Sequence, residues 1–373
     1  IACRVSNIEK GSTKFHVGTM VESDYRKVQD ELTGCMRVDA SSAGTVVAVS
    51  PSPGATTLMA PASKRFPLKN WQHSLLHQRH REEFSDQTVF TTYLHARIQS
   101  QWLNDHRVHG AVVFPGVALL DLVSATMTES LNDMWLGIVY IEGFSIIKPV
   151  VVNEDFSQQA THLLSVLHGD GNVEVFGELD DHSRLIHAQG KVSVIPTARA
   201  SVDWKALSAY FVQCERSCNS TFDCSALYDT FEANGLCYGP SFRLIQSASC
   251  SDSICVATLS MPHRDMKRVH VVPPNLLDVM LQSSAILVAQ YYEHHASTDG
   301  ASAFVPYAFD EVWVRCEKMN ALWKYDTCKC VVTMASMRSD MAIFDCLMVA
   351  ASGLPLVSMK GVYARAISAS ILE

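Results

Sequence analysis

The 373-residue chain is 48% hydrophobic and 18% charged, enough apolar material for one large folded unit or two smaller ones. Its 30 Lys and Arg against 38 Asp and Glu give a net charge of −8, and without a basic cluster this excludes a nucleic-acid surface. The 12 Cys are scattered through a chain that needs no covalent staples, and no run of ~18 apolar residues is free of a charged or strongly polar side chain.

In chain order, the start at Ile1 and the end without a polar tail suggest a piece of a longer protein. The first residues, IACRVSNIEKGSTKF, lack the apolar core of a secretion signal. The expectation is a soluble, cytoplasmic chain. A helix-like piece falls at 23–32, and 39–63 is rich in Ser, Ala, Pro and Gly, as a linker would be. After Phe66 the pattern changes to strands: 87–99, 136–152, 160–168, 172–179, 184–195, 253–261, 302–316, 328–335, 342–350 and 355–365. Two apolar helices interrupt them, one after Pro115 (GVALLDLVSATMTESL) and one after Pro274 (NLLDVMLQSSAILVAQYY). Both are apolar nearly all round and should be buried. Weaker helices at 203–213 and 223–234 fall between the halves. A central helix wrapped by an antiparallel sheet, made twice, is the simplest assembly. Cys214, Cys218 and Cys224 are the closest cysteine group, but C-x3-C-x5-C lacks the C-x2-C pairs of zinc sites, so no metal is expected.

Three constellations carry chemistry. His106-x3-Gly110-x4-Pro115 combines a possible base with a glycine that admits close backbone approach, followed by a helix start whose N–H groups can polarise a carbonyl. If the stretch is extended, His109 points away from His106; His106 is then the base and His109 structural. A surface histidine before a turn is the plain alternative. Asp278-x3-Gln282 places a carboxyl and an amide on one face of the second apolar helix. Such a carboxyl must be paired, hydrogen-bonded or protonated, and burial would suit it to act as a general acid; a structural Asp is the alternative. Tyr238-Gly239-Pro240-Ser241-Phe242 is either an ordinary turn with an aromatic plug or a loop in which Tyr238 donates into a site and Phe242 lines an acyl channel.

Together and in this order, these motifs resemble polyketide synthase dehydratase domains, which implies a dehydratase domain of a polyketide synthase or an animal-type fatty acid synthase. His73-Ser74-Leu75-Leu76 resembles the family's His-Pro-Leu-Leu opening, with Ser74 in place of proline. Phe66–Trp71 and Trp102–His106 resemble its flanking segments. The resemblance covers roughly residues 66–366. It implies an α+β double hot-dog fold, with an upstream linker at 1–65, an N-terminal half at 66–200 and a C-terminal half at 201–373. It further implies dehydration of a 3-hydroxyacyl thioester carried on the phosphopantetheine of an acyl carrier protein, with no other cofactor. His106 would be the base, and Asp278 the acid, held by Gln282 and Tyr238. Gly110 N–H would stabilise the enolate-like oxygen. The implied partners are the carrier protein, other domains of the synthase and a second copy of the chain. A product-template aldol cyclase of the same fold is disfavoured, because Gln rather than His stands four residues after Asp278. A hot-dog thioesterase would not need two fused halves. A silent scaffold would not need both catalytic residues.

Overall fold

The computed structural model describes residues 65–67, 73–81, 85–94, 102–131, 137–152, 154, 161–178, 183–263, 266, 270–295 and 304–366. The expected helix at 23–32 and the linker at 39–63 lie outside these residues.

The first half contributes β1 (Arg65–Pro67), β2 (Gln78–Arg81), β3 (Thr88–Tyr93), β4 (His106–Val108), β5 (Ala111–Phe114) and helix α1 (Gly116–Ser130). These are followed by β6 (Ile138–Ile146), β7 (Val150–Val151), β8 (His162–Leu167), β9 (Asn172–Glu178) and β10 (Arg184–Ile195). Next come α2 (Trp204–Ser217), β11 (Ser220–Phe222), α3 (Leu227–Ala233), β12 (Leu236–Tyr238), β13 (Ile245–Cys250) and β14 (Ile254–Ser260). The second buried helix follows as α4 (Pro274–Gln282) and α5 (Ser284–His295), and the chain closes on β15 (Phe304–Arg315), β16 (Thr327–Met337), β17 (Met341–Ala350) and β18 (Pro355–Ala366).

Fourteen strands form one antiparallel sheet in the order β1-β2-β3-β8-β9-β10-β6-β15-β18-β17-β16-β14-β13-β11. Its midline is the β6–β15 pair, where Val139 faces Val314 and Ile141 faces Val312, so apolar side chains of the two halves meet in register. Each half supplies seven of these strands and wraps a buried helix, which is the α+β double hot-dog arrangement. Helix α1 is buried from Val117 through Thr126 and packs on β6, β8, β10 and α4. It satisfies its internal hydroxyls by back-bonding, Ser124 to Leu120 C=O and Thr126 to Leu122 C=O. Helices α4 and α5 sit in the corresponding place against β14, β16 and β17.

Four local readings need correction. The helix after Pro274 is not continuous: it breaks at the buried Ser283, whose hydroxyl donates to Val279 C=O, a bond that bends helices. The strand expected at 136–152 stops at Ile146, since Ile147 N–H turns to His187 C=O and Pro149 has no N–H to give a ladder. Strand β13 was not foreseen, because Gln246, Ser247 and Ser249 obscure its alternation. Helix α2 runs four residues beyond the expected 203–213, started by Asp203, whose carboxylate accepts Lys205 and Ala206 N–H. No helix among the described residues is long and apolar enough to cross a membrane.

Candidate active site

A second, small sheet, β12-β4-β5-β7, ties the halves together. It pairs Tyr238 of β12 directly with His106 of β4, and Leu236 with Val108. A strand pairing over more than a hundred residues of chain therefore sets a tyrosine from the second half beside the histidine of the first. The turn Leu103–Asp105 that delivers His106 is held to the turn Pro240–Phe242 by Asp105. Its carboxylate accepts Ser241 N–H at 2.8 Å and the Ser241 hydroxyl, and its carbonyl accepts Gly239 N–H at 2.7 Å. The approach is so close that a Cβ on Gly239 would lie 2.3 Å from Asp105 Oδ1. Asp105 has a part in the site that the sequence did not reveal, although it stands next to the base in the lead-in motif.

His106 is buried. Its Nδ1 lies 2.7 Å from Val113 C=O, which only a protonated Nδ1 can satisfy, so Nε2 is left as the basic nitrogen. That Nε2 is 3.7 Å from Asp278 Oδ1. Asp278 Oδ2 accepts Gln282 Nε2–H at 2.9 Å, one helical turn on, and the Tyr238 hydroxyl is near enough to the carboxyl for each to influence the other's ionisation. Burial pushes the Asp278 carboxyl above its ordinary range, outweighing the opposing influence of His106, Gln282 and Tyr238. Burial, with Asp278 close by, likewise lifts Tyr238 well above the usual phenol range, so it remains a neutral donor. Gln282 Oε1 is buried with no hydrogen-bond partner among the described residues, a costly state that a ligand hydroxyl would relieve.

These four side chains open onto a cavity of about 520 Å³ between the two buried helices, within the ~300–1,000 Å³ range of small-molecule sites. Its walls are mainly apolar, including Phe114, Leu119, Phe231, Leu281, Val288 and Phe344.

Two of the expected site residues lie elsewhere. Gly110 is not at a helix start: with His109 it forms the exposed turn between β4 and β5, at φ +85° and +46° respectively, and it does not line the cavity. The extended run assumed for His109 is thus a tight turn, which directs His109 onto Gly235 and out of the cavity. The residue at the helix start that lines the cavity is Gly116, whose N–H has no acceptor within the helix. Pro115 is the N-cap of α1. Phe242, expected in the channel, is fully buried behind the site. Its ring lies 5.3 Å from that of His106 and 6.2 Å from that of Trp102, so it backs the base instead of lining the path of a chain. Gly239 and Pro240 shape the turn that places it. Cys214 and Cys218 are buried on and just beyond α2, and Cys224 is half-buried in the loop after β11.

Comparison with known proteins gives a consistent result. Residues 73–178 match the model of the polyketide synthase dehydratase domain, and residues 212–373 match that of the polyketide synthase dehydratase N-terminal domain. Polyketide synthase PksN of Bacillus subtilis (strain 168) is 26% identical over 302 residues, which is 79% of this chain but 5% of that protein. The chain therefore spans a small part of the curated relatives it matches. Among solved structures, the dehydratase domain from the CurJ module of curacin polyketide synthase superposes with a TM-score of 0.66 at 20% identity, covering 80% of this chain and 98% of that one. An inactive aspartate-to-asparagine variant of the CurK dehydratase gives 0.62 at 20% identity, covering 80% and 100%.

Proposed function

Since the chain belongs to the polyketide synthase dehydratase family, we propose that it removes water from a 3-hydroxyacyl thioester to give the 2-enoyl thioester, using His106 as base and Asp278 as acid. The observation that carries this is the pairing of His106 Nε2 with a buried carboxyl 3.7 Å away, whose hold on its proton burial strengthens, on the wall of an apolar cavity.

In this reading the thioester carbonyl lies near the start of α1, where the Gly116 N–H offers a donor to the developing enolate oxygen. His106 Nε2 takes the proton from C2. The electron pair forms the C2–C3 double bond as the C3–O bond breaks, and the Asp278 carboxyl protonates the departing hydroxyl to water. Gln282 Oε1 accepts from that hydroxyl beforehand and so orients it. The pair ends as imidazolium and carboxylate, and returning the proton from His106 to Asp278 restores both. Atoms and charges balance with no further cofactor. Gln282 also distinguishes this chemistry from aldol cyclisation, because its amide is committed to the Asp278 carboxyl. Delivery on the phosphopantetheine of an acyl carrier protein, association with other synthase domains, pairing with a second copy of the chain and a cytoplasmic setting belong to the same proposal.

The test is to incubate the purified chain with 3-hydroxyacyl thioesters of several lengths on a carrier protein and weigh the products. Loss of one water, absent in His106→Phe, supports the proposal. No water loss from any member of the series refutes it.

A further inference from the structure

Behind the cavity lies a second buried polar group. Asp121, in the middle of α1, is 2.7 Å from His270 Nδ1 and 3.2 Å from His73 Nε2 through Oδ2, while its Oδ1 accepts Val271 and Val272 N–H at 2.9 Å each. All three side chains are buried, and their ligand atoms are close enough together to hold a metal ion. The hydrogen bonds assign them otherwise. His73 Nδ1 accepts Leu75 N–H, which leaves its proton on Nε2 facing Asp121. His270 Nδ1 donates to Asp121, which leaves its Nε2 to accept from the Ser74 hydroxyl at 3.0 Å. The Asp121 carboxylate thus accepts three N–H groups, from His270, Val271 and Val272, with His73 Nε2 standing 3.2 Å away. Burial alone would raise the Asp121 carboxyl, but the two histidines overcome this and hold it well below the usual carboxylate range.

The group sits where the two catalytic residues are joined. Asp121 lies on α1, which follows β4 and β5 directly and so shares a short, continuous stretch of chain with His106. The amides it holds, Val271 and Val272, lead through Pro273 into α4, whose second turn carries Asp278. His270 also stands edge-on to Trp102 at 6.0 Å; Trp102 packs on Phe242, and Phe242 backs the His106 ring. Ser74, where the family's opening motif has proline, adds the last bond to His270.

We propose that Asp121, with His270 and Ser74, is a positioning residue that sets the His106–Asp278 separation by locking the lead-in of α4 to α1. The effect on turnover rests on the dehydration reading above; the geometric claim does not.

The experiment compares Asp121→Asn, His270→Ala and His270→Asn in the intact chain, by kcat, KM and crystal structures. Asn at 270 retains a donor at the Nδ1 position and Ala does not. Asp121→Asn and His270→Ala should lower kcat about 10- to 100-fold, the cost of misplacing reacting groups by roughly 1 Å. KM should be little changed and the 3.7 Å separation should lengthen. His270→Asn should restore both kcat and separation towards the parent values. Parent-like kcat and an unchanged separation in the first two variants overturn the proposal, as does lost kcat with an unmoved pair. If Asp121→Asn does not fold, the two His270 variants decide: equal kcat and equal separation overturn it. If the parent dehydrates nothing, the dehydratase reading fails and the crystallographic separations alone judge this one.

Discussion

Replacing Asp278 by Asn separates the chemistry of the residue from its packing. The amide has the shape of the carboxyl, and its oxygen can take the Gln282 N–H that Oδ2 now accepts at 2.9 Å. Its NH₂ can turn to the Tyr238 hydroxyl or to the lone pair of His106 Nε2, now 3.7 Å from Oδ1. Each remade bond is worth about 1 kcal/mol, so hydrogen bonding alone changes stability by no more than that. The transferable proton is lost outright. A general acid contributes about 10²–10⁴-fold, or ~3–5 kcal/mol in the barrier at roughly 1.4 kcal/mol per factor of ten. Turnover should therefore collapse while the fold persists. Stability should also respond to pH in a defined direction. Burial raises the folded-state pKa of Asp278 above its unfolded value. Its contribution to stability is then fully present below the unfolded value and lost as pH rises through the folded one. Asn does not titrate, so the variant should gain on the parent as pH is raised from about 4 to 8. Product mass spectrometry and thermal unfolding across that range check both parts. An Asp278→Asn chain with near-parent turnover refutes the acid role, and a variant Tm that falls relative to the parent's as pH rises refutes the burial argument.

Three further outcomes follow from the geometry. His106→Phe should abolish turnover without unfolding the chain, while His109→Ala, altering a side chain outside the cavity, should leave kcat near the parent; equal and severe loss in both, with intact folding, would leave the choice of base unsupported. Gly110→Ala should cost about 1 kcal/mol of stability, because φ is +85° there, with kcat unchanged, and a large kcat loss in a folded variant would return Gly110 to the site. Prolonged chelation should leave turnover unchanged and elemental analysis should find no stoichiometric zinc; one tightly held zinc per chain contradicts this.

What the sequence disclosed, and what it concealed, follows from the range of the interactions. The two buried helices were legible because Pro115 and Pro274 mark their starts and apolar residues surround them. The α+β double hot-dog arrangement follows from those helices and the strand runs around them. Gly110 was misplaced because two successive residues in the left-handed region turn the chain at His109–Gly110, and the H-x3-G-x4-P spacing is the same with or without that turn. Phe242 was misplaced because its partner Trp102 comes from the other half, and a motif cannot say which side of a ring faces a channel. The pairing of Tyr238 with His106 was likewise beyond local pattern, although it sets the site more directly than any motif.

Asp121 is the instructive omission. The criterion that singled out Asp278, a carboxyl in a helix apolar nearly all round, applies equally to the Asp in GVALLDLV. Both residues are buried, and burial works to raise both carboxyls. Their fates diverge through their partners. Asp278 meets one imidazole at 3.7 Å, an amide and a phenol, and remains raised. Asp121 meets two imidazoles and two backbone N–H groups, and is driven well below the usual range. A carboxyl that holds its proton more tightly is suited to pass it to a leaving group, whereas a carboxylate held by three N–H donors with a second imidazole beside it is a fixed anchor. Sequence reveals that each must have partners, and only the fold, by bringing His73 and His270 from opposite halves onto α1, determines which carboxyl is raised and which is lowered.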